Sequence, residues 1–126
     1  MQADLAGKTA IVTGGAGGTS IAISTELARR GADVVVAQRS RTNVDELHSR
    51  IEDIGPRCAS IETDLADDND IVALVEATHE RFRGPHVVVS NAVDPAKDPA
   101  ESMSREYIDR TLGVNLVAPF RLAQEA

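Results

Sequence analysis

The chain reads as an α/β protein built on a doubly wound parallel sheet, and three observations predict it. Apolar runs bounded by turn residues recur at 9–12, 33–37, 57–62 and 86–90, helix-period stretches lie between them, and the turn after the first run is rich in glycine. Strands that alternate with helices form crossover units, and right-handed crossovers make the sheet parallel with the order 3-2-1-4. With two Phe, one Tyr and no Trp, the core falls to aliphatic residues, as suits a sheet covered on both faces.

The elements follow in order. The first run leads into a helix over 20–30 that puts Ile21, Ile23, Leu27 and Ala28 near one face and stops at Gly31. A second helix over 43–54 repeats the pattern with Val44, Leu47, Ile51 and Ile54, again ending at glycine. The third, over 67–82, carries Ile71, Leu74, Val75 and Phe82 and is stopped by Gly84-Pro85. Segment 91–102, with two prolines and four charged residues, reads as a loop. A fourth helix begins near Ser104, whose hydroxyl can cap it, and runs through Tyr107, Ile108, Leu112 and Leu116 to the last residue. It meets no stop signal, so the 126 residues read as one truncated domain. The fourth strand would leave an apolar edge unless something pairs with it.

Charge and composition narrow the partners. Thirteen Lys and Arg against twenty Asp and Glu give a net charge of −7, the wrong sign for neutralising nucleic-acid phosphates. Cys58 is the only cysteine, so neither an internal disulfide nor a multi-thiolate metal site is expected, and it reads as a small packed apolar group. His48, His79 and His86 lack ligand spacing and read as surface residues. No basic-then-apolar leader and no apolar run of spanning length are found, so a cytoplasmic protein without membrane or metal partners is expected.

The turn Thr13-Gly14-Gly15-Ala16-Gly17-Gly18 is the most informative stretch. Glycine lets the backbone bend sharply off a strand, lets phosphate oxygens approach the amides, and lets the next helix aim its partly positive N-terminus at them. A dinucleotide pyrophosphate is the expected ligand of this Rossmann-type arrangement.

With these residues in view, the whole chain resembles the short-chain dehydrogenase/reductase family, whose turn reads Thr-Gly-x-x-x-Gly-x-Gly. The resemblance implies cofactor contacts from Thr13, Gly14, Gly18, Thr19, Ser20 and Ile21. Ser20 stands where the family has its last glycine, and Ser20-Ile21-Ala22 is similar to the enoyl-acyl-carrier-protein reductase branch. Its hydroxyl can bond a phosphate or cap the helix, and both readings stay open. At the end of the second strand Gln38 replaces the usual ribose-binding carboxylate, and Arg39 follows. A guanidinium can pair with a 2′-phosphate, so NADP(H) is favoured over NAD(H), against the alternative of a solvated loop arginine.

Asp64 matches the family's acceptor for the adenine amino group, with Leu65 beside the ring; the alternative role for Asp64 is a helix cap. Asn91 and Ala92 match the family segment after the fourth strand, whereas Val93 replaces its glycine. Asn91 is expected to tie neighbouring strands. Asn115, in Val-Asn-Leu-Val-Ala-Pro-Phe, matches the asparagine that helps bind the water of a proton relay, and Pro119 should free a carbonyl near it. The family's serine and Tyr-x-x-x-Lys pair, or the longer-spaced Tyr and Lys of the enoyl branch, do not occur; Tyr107 precedes Asn115 and has Arg110 rather than lysine near it.

The resemblance therefore implies the cofactor-binding part of an NAD(P)(H)-dependent oxidoreductase acting on a carbonyl, alcohol or enoyl substrate, inactive as this chain. A truncated, non-catalytic protein that binds nucleotide or a partner is the alternative, and the last helix or the fourth-strand edge would serve for self-association.

Overall fold

A computed structural model describes residues 4–14, 17–95 and 97–126, so Gly15 and Ala16 of the glycine turn lie outside the described residues. Four parallel strands, β1 (Thr9–Thr13), β2 (Asp33–Gln38), β3 (Cys58–Glu62) and β4 (Val87–Ser90), stand in the order β3-β2-β1-β4. This is the doubly wound sheet expected from the alternation of runs. Helices α1 (Gly18–Arg29) and α2 (Val44–Ile54) cover one face, and α3 (Asp68–Phe82) and α5 (Ala118–Glu125) the other.

Strand side chains alternate between these two layers because successive Cβ atoms point to opposite faces. Ile11, Val35 and Ala37 enter the core shared with Leu74, Ala118 and Leu122, while Val12, Val34 and Val36 enter the one shared with Ala28, Leu47 and Ile51. Both faces are dry, which is why the strands read as unbroken apolar runs.

Two helices differ from the sequence expectation. In α1 the fully buried line is Ser20, Ser24 and Ala28, four residues apart, with Ile21, Ile23 and Leu27 only partly buried at its flanks. Small side chains on that line let the helix approach the sheet more closely than leucine or isoleucine would. The expected single fourth helix is instead α4 (Arg105–Leu112), a π-helical segment (Gly113–Val117) and α5. Pro119 removes the N–H that an unbroken α-ladder requires, and a wider turn accommodates the loss. The buried line there is Val114, Ala118 and Leu122; Ile108, Leu112 and Leu116, read as apolar members of the single helix, are 37%, 49% and 66% exposed. Ser104 does cap α4, accepting from the Tyr107 amide at 3.1 Å.

Candidate functional site

Every strand of a parallel sheet points its carboxyl end the same way, and the loops beyond those ends enclose the main cleft, a cavity of about 510 Å³. Next to the cleft, though not among the residues that line it, Thr13 is fully buried at the end of β1. The Thr13 hydroxyl accepts from the backbone amides of Asn91 (3.1 Å) and Ala92 (3.2 Å), so the chain leaving β4 is fastened to the end of β1. Gly14 follows with φ +97°, and a Cβ placed on it would lie 3.0 Å from both the Ala92 amide nitrogen and Asn91 Nδ2. Backbone conformation and close approach both demand glycine there.

The start of α1 is open. Its N-cap is Gly17, with no side-chain capping bond and no acidic residue in the first turn. Ile21 donates to the Gly17 carbonyl at 2.8 Å, and among the described residues the preceding amides of Gly18, Thr19 and Ser20 show no backbone partner. A Cβ at Gly17 or Gly18 would meet nothing within 4 Å. Ser20 is buried and does not cap the helix; its Oγ accepts from Asn91 Nδ2 at 2.7 Å, so Asn91 ties α1 as well as β1 to the end of β4.

On the β2 and β3 side, Gln38, Arg39 and Leu65 line the same cavity, as do Gly14, Gly18, Thr19, Ser20, Asn91 and Ala92. Arg39 is exposed and forms no ion pair within 4 Å among the described residues. Asp64 stands beside the cavity and does not cap α3, a part taken by Asp67 through the Asn69 amide. Its Oδ1 accepts from the Ala66 amide at 3.0 Å and from Arg110 at 3.2 Å. The Ala66 bond first, then the Arg110 and Arg39 guanidiniums, hold this carboxyl below the ordinary aspartate value against an opposing push from partial burial.

Two expected residues are placed elsewhere. Ile21 turns its side chain toward the α1–α2 core and spends its amide on the helix, so it offers the cleft nothing. Asn115, in the π-helical segment, gives its whole amide group to one residue: Oδ1 accepts from the Asp94 amide at 2.7 Å and Nδ2 donates to the Asp94 carbonyl at 3.0 Å. Sequence reasoning missed Asp94 and Arg110, which line the cleft and pair at 3.4 Å, and missed that Tyr107 donates to the Pro95 carbonyl and accepts from the Lys97 amide, both at 3.0 Å. The signal available was the placement of Tyr107, Arg110 and Asn115 along one helix after a charged loop.

Away from the cleft, Cys58 is half-buried, and burial, helped by Glu52, pushes its thiol up to about 12. The histidines are not all idle: His48 Nε2 bonds the Ser60 hydroxyl at 2.8 Å, and His86 Nδ1 accepts from the Thr9 amide at 3.0 Å. Among the described residues no group of three or more His, Cys, Asp or Glu could hold a metal ion, and no helix is long and apolar enough to cross a membrane.

A glycine-lined turn, an uncapped helix start and a tied fourth strand recur together in one family, and the model of the short chain dehydrogenase family matches residues 8–126. The chain belongs to that family. Hydroxynaphthalene reductase-like protein Arp2 of Metarhizium majus is 35% identical over 123 residues, 97% of this chain and 46% of that protein. A short chain dehydrogenase from Burkholderia cenocepacia, solved in complex with NADP, superposes with a TM-score of 0.91 at 33% identity, covering 98% of this chain and 51% of that one. An NADH-dependent reductase complexed with NAD superposes with a TM-score of 0.90 at 28% identity, covering 100% of this chain and 53% of that one. The chain thus spans about half the length of the relatives it matches.

Proposed function

We propose that this chain is the cofactor-binding part of a nicotinamide-dependent oxidoreductase and that it takes NADP(H) in preference to NAD(H). One observation carries the reading: a cleft of about 510 Å³ joins the uncapped N-terminus of α1 to an arginine without an ion-pair partner among the described residues, at the carboxyl edge of the sheet. The residues fit the group. Open space in front of Gly17 and Gly18 accepts a phosphate that a side chain there would displace. The amides of Gly18, Thr19 and Ser20 would hold the pyrophosphate, Leu65 and Asp64 the purine, and Arg39, beside the uncharged Gln38, a 2′-phosphate. Relatives of known structure carry NADP in one case and NAD in another, so the preference rests on Arg39.

When bound, the nicotinamide supplies or accepts a hydride. What the chain itself contributes is orientation. Asn115 fixes the loop at Asp94, and a carbonyl left without a donor by Pro119 near it would offer a place for the water of a proton relay. No serine and Tyr–Lys pair at the family spacing occurs in the sequence, so this chain alone is expected to bind cofactor without turning over a carbonyl, alcohol or enoyl substrate. The exposed row of Leu112, Leu116 and Phe120, at 49%, 66% and 66%, supports self-association through the last helices.

Calorimetric titration with NADPH and NADH tests the reading. Tighter binding of NADPH, reversed in rank by Arg39→Glu, is the expected result. Equal or tighter binding of NADH would refute the preference, and no binding of either would refute the cofactor reading. Turnover of a carbonyl panel by the chain would refute the expected inactivity.

A further inference from the structure

The two residues that flank the cleft at its extremes are held by one side chain. Asp64 follows β3 and Asp94 follows β4, and β3 and β4 are the opposite edges of the sheet. Arg110 reaches both, one terminal nitrogen lying 3.2 Å from Asp64 Oδ1 and its Nε 3.4 Å from Asp94 Oδ2. We propose that Arg110 is a positioning residue of the cleft, fixing with one guanidinium both the purine-side carboxylate and the loop that walls the opposite side. The proposal rests on the dinucleotide reading and deepens it, by making purine recognition depend on a residue outside the glycine turn.

Three features support it. Arg110 itself lines the cavity and is one-third exposed, so its charge lies at the mouth rather than in the core. Together with the Ala66 amide it occupies Oδ1 of Asp64; among the described residues no bond falls on Oδ2, which is left to accept from an exocyclic amino group. At the other end Asp94 is set by Asn115 through its backbone and by Arg110 through its carboxylate, so the wall has two anchors from one helical unit. Without the guanidinium two carboxylates would face a cleft meant for a polyanion.

The test compares NADPH with its hypoxanthine analogue, which carries an oxygen acceptor where adenine has its amino donor. The chain is expected to bind NADPH about tenfold more tightly than the analogue, the worth of one charge-assisted hydrogen bond. Arg110→Met should bring that ratio close to one, chiefly by weakening NADPH, and should speed tryptic cleavage after Lys97 in the loop. A merely structural role would weaken both nucleotides alike and leave the ratio unchanged, which would overturn the proposal. Should Arg110→Met fail to fold by circular dichroism, Arg110→Lys serves instead: one ammonium cannot grip both carboxylates as a guanidinium does, so an intermediate ratio is expected and an unchanged one overturns the inference. Failure of the unaltered chain to bind either nucleotide would instead count against the cofactor reading itself.

Discussion

The two ends of the sheet are made of similar residues put to opposite use. At the amino end Arg57 grips Asp33 with two nitrogens, at 2.6 and 3.0 Å, and lies 4.6 Å from the centroid of the Phe82 ring. There the Thr9 hydroxyl donates to the Phe82 carbonyl, and Gly84 packs so tightly that an added Cβ would stand 2.6 Å from Thr9 Cβ. The Arg57 charge is thus paired and the backbone at Gly84 is closely packed. At the carboxyl end Gly17 and Gly18 look into open space, the first amides of α1 lie ahead of the helical ladder, and Arg39 has no ion-pair partner among the described residues. A parallel sheet places all its strand termini of one kind together, so unsatisfied donors accumulate at one end only, and that end is where a ligand gains most by supplying acceptors.

The comparison breaks most visibly at the glycines. Gly14→Val should cost about 3 kcal/mol, from the left-handed backbone and the contact with Asn91 and Ala92 together, and should abolish nucleotide binding in whatever fraction still folds. Gly84→Ala should lower the melting temperature through a stability loss of about 1–3 kcal/mol, yet leave the affinity of the folded molecules unchanged. A Gly84 variant with selectively weakened NADPH binding would show that the two ends are not independent.

Next in size is Thr13→Val, which strands the Asn91 and Ala92 amides and should cost about 2 kcal/mol in urea unfolding. Arg39→Glu is expected to weaken NADPH binding about tenfold or more with no change in melting temperature. Arg57→Ala should do the reverse, leaving affinity alone and lowering stability by about 1 kcal/mol or less, because its ion pair is solvent-exposed on the arginine side.

The smallest effect is acid dependence at Asp64. Its folded pKa is depressed, so its stabilising contribution is present above the unfolded aspartate value of about 3.9 and is lost as pH falls through the lower folded value. Stability curves of the unaltered chain and Asp64→Asn should therefore converge as the solution is acidified into that range. Parallel curves would mean that the carboxyl gains nothing from Ala66 and Arg110.

Much of this was legible in the residues. The strands announced themselves as valine-rich runs, the glycine turn as a break between strand and helix, and Asn91 as a strand tie, because each depends on neighbours close in sequence or on a motif with fixed spacing. The exposure of Leu112 and Leu116 was not legible: helical period identifies an apolar stripe but not which stripe meets the sheet. The π-helical segment shifts the phase of the helix at its middle, and α3 selects Val114, Ala118 and Leu122 instead. For Ser20 the sequence offered the cofactor or the helix end, and it held no sign that the hydroxyl also accepts from Asn91, the residue after β4.

By itself the sequence determined the parallel sheet, its strand order and the edge at which the cleft opens, since apolar periodicity, crossover handedness and glycine backbone freedom act locally or by general rule. Only the tertiary structure decided that Arg110 spans Asp64 and Asp94, that Asn115 is committed to Asp94, and that Ser20 meets Asn91. Those pairs join residues remote along the chain, and side chains carry no record of a partner until packing brings the two together.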